Sequence, residues 1–125
     1  MNDQYASVRY VVDDVPAAID FYTTHFGFTV RMSAGPAFAD VVRGPLRLLL
    51  SGPASSGARA TPADAAEAGR NRIHFEVADL DAEIARLTDA GLAFRTEVVS
   101  GPGGRQILVA DPAGNLVELF EPAAR

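Results

Sequence analysis

The sequence predicts an α+β fold built from two tandem strand-helix-strand modules, and three observations predict it. Residues 7–14 and 72–79 align with each other at an offset of 65. In each stretch one parity is apolar, with Val8, Tyr10 and Val12 in the first copy and Ile73, Phe75 and Val77 in the second. The other parity is mostly polar, which is the alternation of a strand whose sheet has two different faces. In both copies an aspartate then introduces apolar residues at helical spacing.

The first strand runs from Ser7 toward Asp13, and its apolar parity is expected to lie under a helix. Asp14 can cap that helix, Pro16 suits its first turn, and Val15, Ile19, Tyr22 and Phe26 recur at helical spacing until Gly27 stops it. The second helix begins after Asp79, carries Leu80, Ile84 and Leu87 on one side, and ends at Gly91, which can take the left-handed terminating conformation. Asp13, Asp14, Asp79 and Asp81 flank these helix starts and are read as capping residues.

Three shorter extended segments follow each helix, over 28–32, 37–42 and 46–51 in the first copy and 92–98, 105–110 and 115–120 in the second. Gly-Pro pairs and Asp111-Pro112-Ala113-Gly114 punctuate them. The modules are therefore β-α-β-β-β, over about 5–51 and 71–121, within one 125-residue domain. Residues 52–70, rich in Gly, Ala, Ser and Pro, read as a linker with a helical turn at 62–68. The run Gly101-Pro102-Gly103-Gly104-Arg105 lacks the phosphate-loop pattern and leads into a strand, so it reads as a hairpin turn.

Composition removes several kinds of chemistry. Hydrophobic residues are 48% and charged residues 22%, as in soluble globular proteins, and the longest apolar runs, such as Leu48-Leu49-Leu50, are too short to cross a bilayer. There is no cysteine, which excludes disulfides, thiolate metal sites and cysteine nucleophiles. All 11 basic side chains are arginine, so no lysine can form a Schiff base. A net charge of -5 without a basic stripe argues against nucleic-acid or anionic-membrane partners. Met1-Asn2-Asp3-Gln4 does not resemble a secretory signal, and a cytoplasmic location is expected.

Several motifs together resemble the vicinal oxygen chelate superfamily of glyoxalase, bleomycin-resistance and extradiol dioxygenase proteins. They are Val12-Asp13-Asp14 with Phe21-Tyr22 and Phe26-Gly27-Phe28, then Phe75-Glu76-Val77-Ala78-Asp79-Leu80-Asp81, then Asp111-Pro112-Ala113-Gly114-Asn115-Leu116-Val117-Glu118-Leu119. The resemblance implies curled mixed sheets enclosing a common cavity, and a homodimer. It also implies four positions around a divalent metal in the family's enzymes, which fall here on Ser7, Leu49, Arg72 and Glu118.

Of these four, Glu118 alone is a good ligand, because leucine has no donor, arginine stays protonated and a serine hydroxyl binds metals weakly. A catalytic metal needs about three protein donors, so no metal cofactor is expected. His25 reads as a packing or capping residue at the end of the first helix, and His74 lies two residues beyond the ligand position. Arg72 and Glu118 are instead expected to form an ion pair in the metal's place. If that pair is fully buried, truncating Arg72 costs about 3–5 kcal/mol.

Strand parity places Ser7, Arg9 and Val11 on one face, with Arg72, His74 and Glu76 equivalent to them, and Arg47, Leu49 and Ser51 corresponding to Leu116, Glu118 and Phe120. The ligand-facing set is thus Ser7, Arg9, Phe38, Arg47, Leu49, Arg72, His74, Glu76, Glu118 and Phe120, in which arginines suit an oxygen-rich or aromatic molecule and the phenylalanines stack. The expected function is metal-independent binding of a small molecule, similar to bleomycin-resistance proteins that sequester an antibiotic. Two alternatives stand beside it. One is an enzyme of the superfamily, a lyase, isomerase or dioxygenase with a degenerate metal site or with His74 and Glu76 as acid and base. The other is a dimerisation domain whose pocket is vestigial.

Overall fold

The polar and apolar parities of residues 7–11 separate onto the two faces of β1 (Ala6–Val11), in a computed structural model that describes residues 5–55, 58–59 and 68–123. The first copy continues with α1 (Val15–His25), β2 (Thr29–Ala34), β3 (Phe38–Arg43) and β4 (Leu46–Ser51). The second comprises β5 (Arg72–Glu76), α2 (Leu80–Asp89), β6 (Val99–Gly101), β7 (Gly104–Ala110) and β8 (Leu116–Pro122). Both are β-α-β-β-β modules with mixed four-stranded sheets, as the repeat predicts. The chain divides into two compact units, Met1–Arg70 with Asp111–Asn115, and Asn71–Ala110 with Leu116–Arg125.

In each sheet the first strand lies parallel to the last, giving the orders β1-β4-β3-β2 and β5-β8-β7-β6. The remaining pairs are antiparallel, and neither sheet closes on itself. In the first unit Tyr10 and Val12 are buried with Ala39, Val41, Leu48 and Leu50. Val15, Ala18, Phe21 and Tyr22 of α1 are buried with them, and the Tyr10 and Tyr22 rings meet edge to face at 6.2 Å. The second unit repeats this with Ile73, Ile107, Val109, Val117 and Leu119 against Leu80 and Leu87 of α2. Each such large aliphatic side chain contributes about 1.5–3 kcal/mol when fully buried, so these stripes drive the assembly of each sheet with its helix.

The helix boundaries follow the capping logic. Asp14 accepts a hydrogen bond from the Ala17 amide at 3.0 Å, and Asp79 accepts one from Ala82 at 3.1 Å. Glu121 reaches from β8 to accept the Leu80 amide at 2.7 Å, which satisfies another free donor of α2. Gly27 and Gly91 both have positive φ, of 72° and 89°, and stop the two helices. His25 packs its ring on Phe21 at 5.5 Å, in keeping with a packing role.

One expected strand is displaced. The segment 92–98 makes a single bridge, Phe94 to Val109, and the regular edge strand is Val99–Gly101. The reason is local: the Thr96 hydroxyl accepts the Leu108 amide at 3.2 Å, so a side chain occupies the place of a ladder carbonyl and regular pairing resumes only at Val99. Gly101 and Gly104 are paired across a two-residue turn, as expected of a hairpin. The helical turn expected at 62–68 lies, but for Ala68, outside the described residues.

The turn between β7 and β8, Asp111–Asn115, belongs to the first unit. There the buried Asp111 carboxylate accepts the Tyr22 hydroxyl at 2.8 Å, the Ala113 and Asn115 amides at 2.9 and 2.8 Å, and the Asn115 side-chain amide at 3.1 Å. Among the described residues no helix is long and apolar enough to cross a membrane.

Candidate functional site

The face of each sheet opposite its helix carries the polar parity, and the registers show which residues share it. In the first unit Ser7 lies beside Arg47 and Arg9 beside Leu49, while Phe38 and Asp40 lie opposite Ser51 and Leu49. In the second unit His74 lies beside Glu118 and Glu76 beside Phe120, with Gln106 and Leu108 opposite Phe120 and Glu118. Within each unit the residues assigned to one face by parity are therefore brought together.

On the second face Arg72 donates to Glu118 Oε1 from Nε at 3.1 Å and from Nη2 at 2.8 Å, and Nη2 also lies 3.2 Å from Gln106 Oε1. The expected ion pair is present, but its burial is not complete: the side chains are 48% and 14% exposed. The Arg72 side chain reaches from the edge strand over β8 and β7 but stays half exposed, so water screens its charge. The cost of 3–5 kcal/mol reasoned for a buried pair therefore does not apply.

His74 faces Glu118, not Glu76, with Nε2 at 3.6 Å from Oε2. Its ring lies on Phe120 at 5.3 Å, tilted by 37°. The two oxygens of Glu118 are thus divided between a guanidinium and an imidazole, beside an aromatic platform. Glu76 is exposed at the end of β5.

The first unit also holds a charged cluster around Asp40 and Arg31 that sequence reasoning missed. Asp40, only 1% exposed, accepts Arg31 Nε at 2.8 Å, and Arg47 Nη1 lies 3.5 Å from the same oxygen, Oδ2. Asp40 Oδ1 is also buried and has no hydrogen-bond partner among the described residues. The signal in the sequence was an aspartate inside the apolar run Ala39-Asp40-Val41-Val42, which a strand core does not tolerate without a partner. The partner depends on a bulge between Val30 and Met32, which no periodicity announces.

Two arginines on this face also hydrogen-bond to serines on neighbouring strands. Arg47 donates from Nε to Ser7 Oγ at 2.9 Å and lies over the Tyr5 ring at 5.6 Å. Arg9 donates to Ser51 Oγ at 2.8 Å.

These contacts test the four positions that the resemblance assigns to a metal. Ser7 accepts from a guanidinium, Leu49 offers no donor atom, and the Glu118 carboxylate already holds the cation of Arg72. Among the described residues no three His, Asp or Glu side chains gather in a way that could hold an ion. The donor set does not fit a divalent metal, and no chemistry is derived through one.

Comparison with known proteins agrees with this architecture. No curated protein matches the chain in sequence. Among solved structures, the chain is similar to the bleomycin-binding protein of bleomycin-producing Streptomyces verticillus, solved with copper(II)-bleomycin, at 26% identity and a TM-score of 0.66, covering 98% of this chain and 99% of that one. It is similar to TnmS3, an antibiotic-binding protein from Streptomyces sp. CB03234, at 25% identity and a TM-score of 0.74, covering 96% of each. The lactoylglutathione lyase of Agrobacterium tumefaciens shares the fold at 24% identity and a TM-score of 0.76, over 96% of this chain and 94% of that one. With the family model matched over residues 4–119, the chain belongs to the Glyoxalase/Bleomycin resistance protein/Dioxygenase superfamily.

Proposed function

We propose that this protein binds a small organic molecule, an antibiotic or an aromatic metabolite, on the polar face of a sheet, without a metal and without transforming it. The observation that carries this reading is the Arg72 guanidinium seated on Glu118, 2.8 Å away, where the metal enzymes of the superfamily need a free carboxylate. The arrangement of His74 on Phe120 supports an aromatic ligand, since a π-face and a polar edge are presented together. The likeness to two antibiotic-binding proteins at 25% and 26% identity supports sequestration over turnover. In this reading the protein acts in the cytoplasm, contributes to antibiotic resistance, and works as a homodimer. The exposed Val30 and Met32 on edge strand β2 and Val99 on edge strand β6 support association of copies.

A thermal-shift screen against aromatic, glycosylated and peptide antibiotics and aromatic metabolites tests it. A ligand at 100 times its dissociation constant stabilises by about 2.7 kcal/mol. If no compound in such a panel raises the melting temperature, the binding reading fails. Product analysis of any ligand found, with His74→Ala as control, separates sequestration from turnover. A product formed by the wild type and lost in the variant would establish an enzyme instead.

A further inference from the structure

The first unit's polar sheet face carries Arg9, Arg31 and Arg47 against a single carboxylate, Asp40. Face strands two apart lie about 10 Å from each other, so these groups form an arc around Leu49 of the size of a small ligand. The excess of positive charge runs against the net charge of -5 of the whole chain. The second unit's face has the opposite balance, with Arg72 against Glu76 and Glu118.

Two independent features mark this arc as more than a solvated patch. The cations are held in place: Asp40 Oδ2 receives Arg31 at 2.8 Å and lies 3.5 Å from Arg47, whose other side is fixed by Ser7 and Tyr5. Arg9, by contrast, has no carboxylate partner among the described residues, only the Ser51 hydroxyl at 2.8 Å, so most of its donors remain unused. In addition, Asp40 keeps a buried oxygen with no partner among the described residues, a polar group that natural interiors retain only for a reason. A carboxylate buried at that cost orients two guanidiniums toward the face.

We propose that this face is an oxyanion subsite: the ligand is an organic anion, an apolar body bearing a carboxylate or phosphate that Arg9 and Arg47 hold while Leu49 and Phe38 receive the body. The inference rests on the binding reading above and narrows it to a charge class. Guanidiniums suit both carboxylates and phosphates because their planar donors match two oxygens at once.

The test uses matched probes in isothermal titration calorimetry: 2-naphthoate, neutral 2-naphthamide, and phenyl phosphate. The wild type should bind naphthoate at least about tenfold more tightly than naphthamide, the scale of a charge-assisted hydrogen bond. Arg9→Gln, which leaves both Asp40 contacts alone and so does not threaten folding, should remove most of that preference without weakening naphthamide. Arg9→Lys should restore part of it. Preference for phenyl phosphate over naphthoate would assign the subsite to phosphates, and the reverse to carboxylates. Equal affinity for naphthoate and naphthamide with no binding of phenyl phosphate, or an anion preference unaltered in Arg9→Gln, overturns the subsite while leaving the binding reading intact. If none of the three probes binds while the broad panel yields a ligand, the subsite alone is wrong; if the panel is also silent, both readings fall.

Discussion

Arg72 closes on Glu118 with two nitrogens on one carboxylate oxygen, Nε at 3.1 Å and Nη2 at 2.8 Å, between the adjacent strands β5 and β8. Because the arginine side chain is 48% exposed, the free carboxylate left by Arg72→Ala can be hydrated from that side. The expected loss is therefore about 0.5–1 kcal/mol in urea denaturation, with the slope against urea unchanged. A loss of 3 kcal/mol or more would mean that the carboxylate is sealed from water.

The same pair predicts the metal content. With Glu118 occupied by a guanidinium and Leu49 lacking a donor, protein purified without chelators should carry no stoichiometric zinc, iron, manganese or nickel by elemental analysis. Its melting temperature should be the same with and without EDTA. A one-to-one content of any of these metals, or a chelator-dependent shift, would contradict the donor chemistry argued above.

What could be read from the sequence follows from which interactions are periodic. The two modules were legible because alternation in residues 7–12 and 72–77, and the Asp14 and Asp79 caps, are short-range patterns repeated in one chain. The Arg72–Glu118 pair was anticipated through the family resemblance, which brings those two positions together, and the parallel pairing of β5 with β8 does so here. Asp40 and Arg31 were not, because a one-residue bulge sets whether Arg31 reaches Asp40, and a bulge has no periodic signature. The Tyr22–Asp111 bond joins residues 89 apart and depends on where a turn docks. The shift of β6 depended on one threonine hydroxyl.

The Asp40 cluster predicts an asymmetry between its partners. Removing Arg31 and Arg47 together by alanine substitution strands a carboxylate that is 1% exposed, and should cost about 3 kcal/mol. Asp40→Leu removes the buried charge and leaves two guanidiniums whose side chains are 43% and 27% exposed and can hydrate. That change should stay within about 1 kcal/mol of the wild type, or stabilise. Adding Asp40→Leu to the double arginine variant should restore most of the lost stability, as measured by denaturant midpoints. No recovery in the triple variant would mean that the arginines stabilise through packing alone.

Alkaline titration probes the buried tyrosines of the first unit. Burial, and after it the negative charge of Asp111, pushes the hydroxyls of both Tyr10 and Tyr22 above the ordinary tyrosine value of 10.0. In the unfolded chain both titrate near that ordinary value, so above about pH 10 the unfolded state binds fewer protons than the folded one. Their contribution is therefore fully present below pH about 10 and is lost as the pH rises beyond it, each tyrosine adding about 1.4 kcal/mol per pH unit to the slope. Tyr22→Phe should show two effects. At neutral pH it gives up the 2.8 Å bond to Asp111, at about 1–2 kcal/mol, near the low end because Asp111 keeps two backbone amides and the Asn115 side chain. Above pH 10 its stability should fall more slowly than that of the wild type, so that the two curves converge. Parallel alkaline branches would mean that the Tyr22 hydroxyl ionises in the folded protein as readily as in the unfolded chain, and that Asp111 does not face it from inside a dry core.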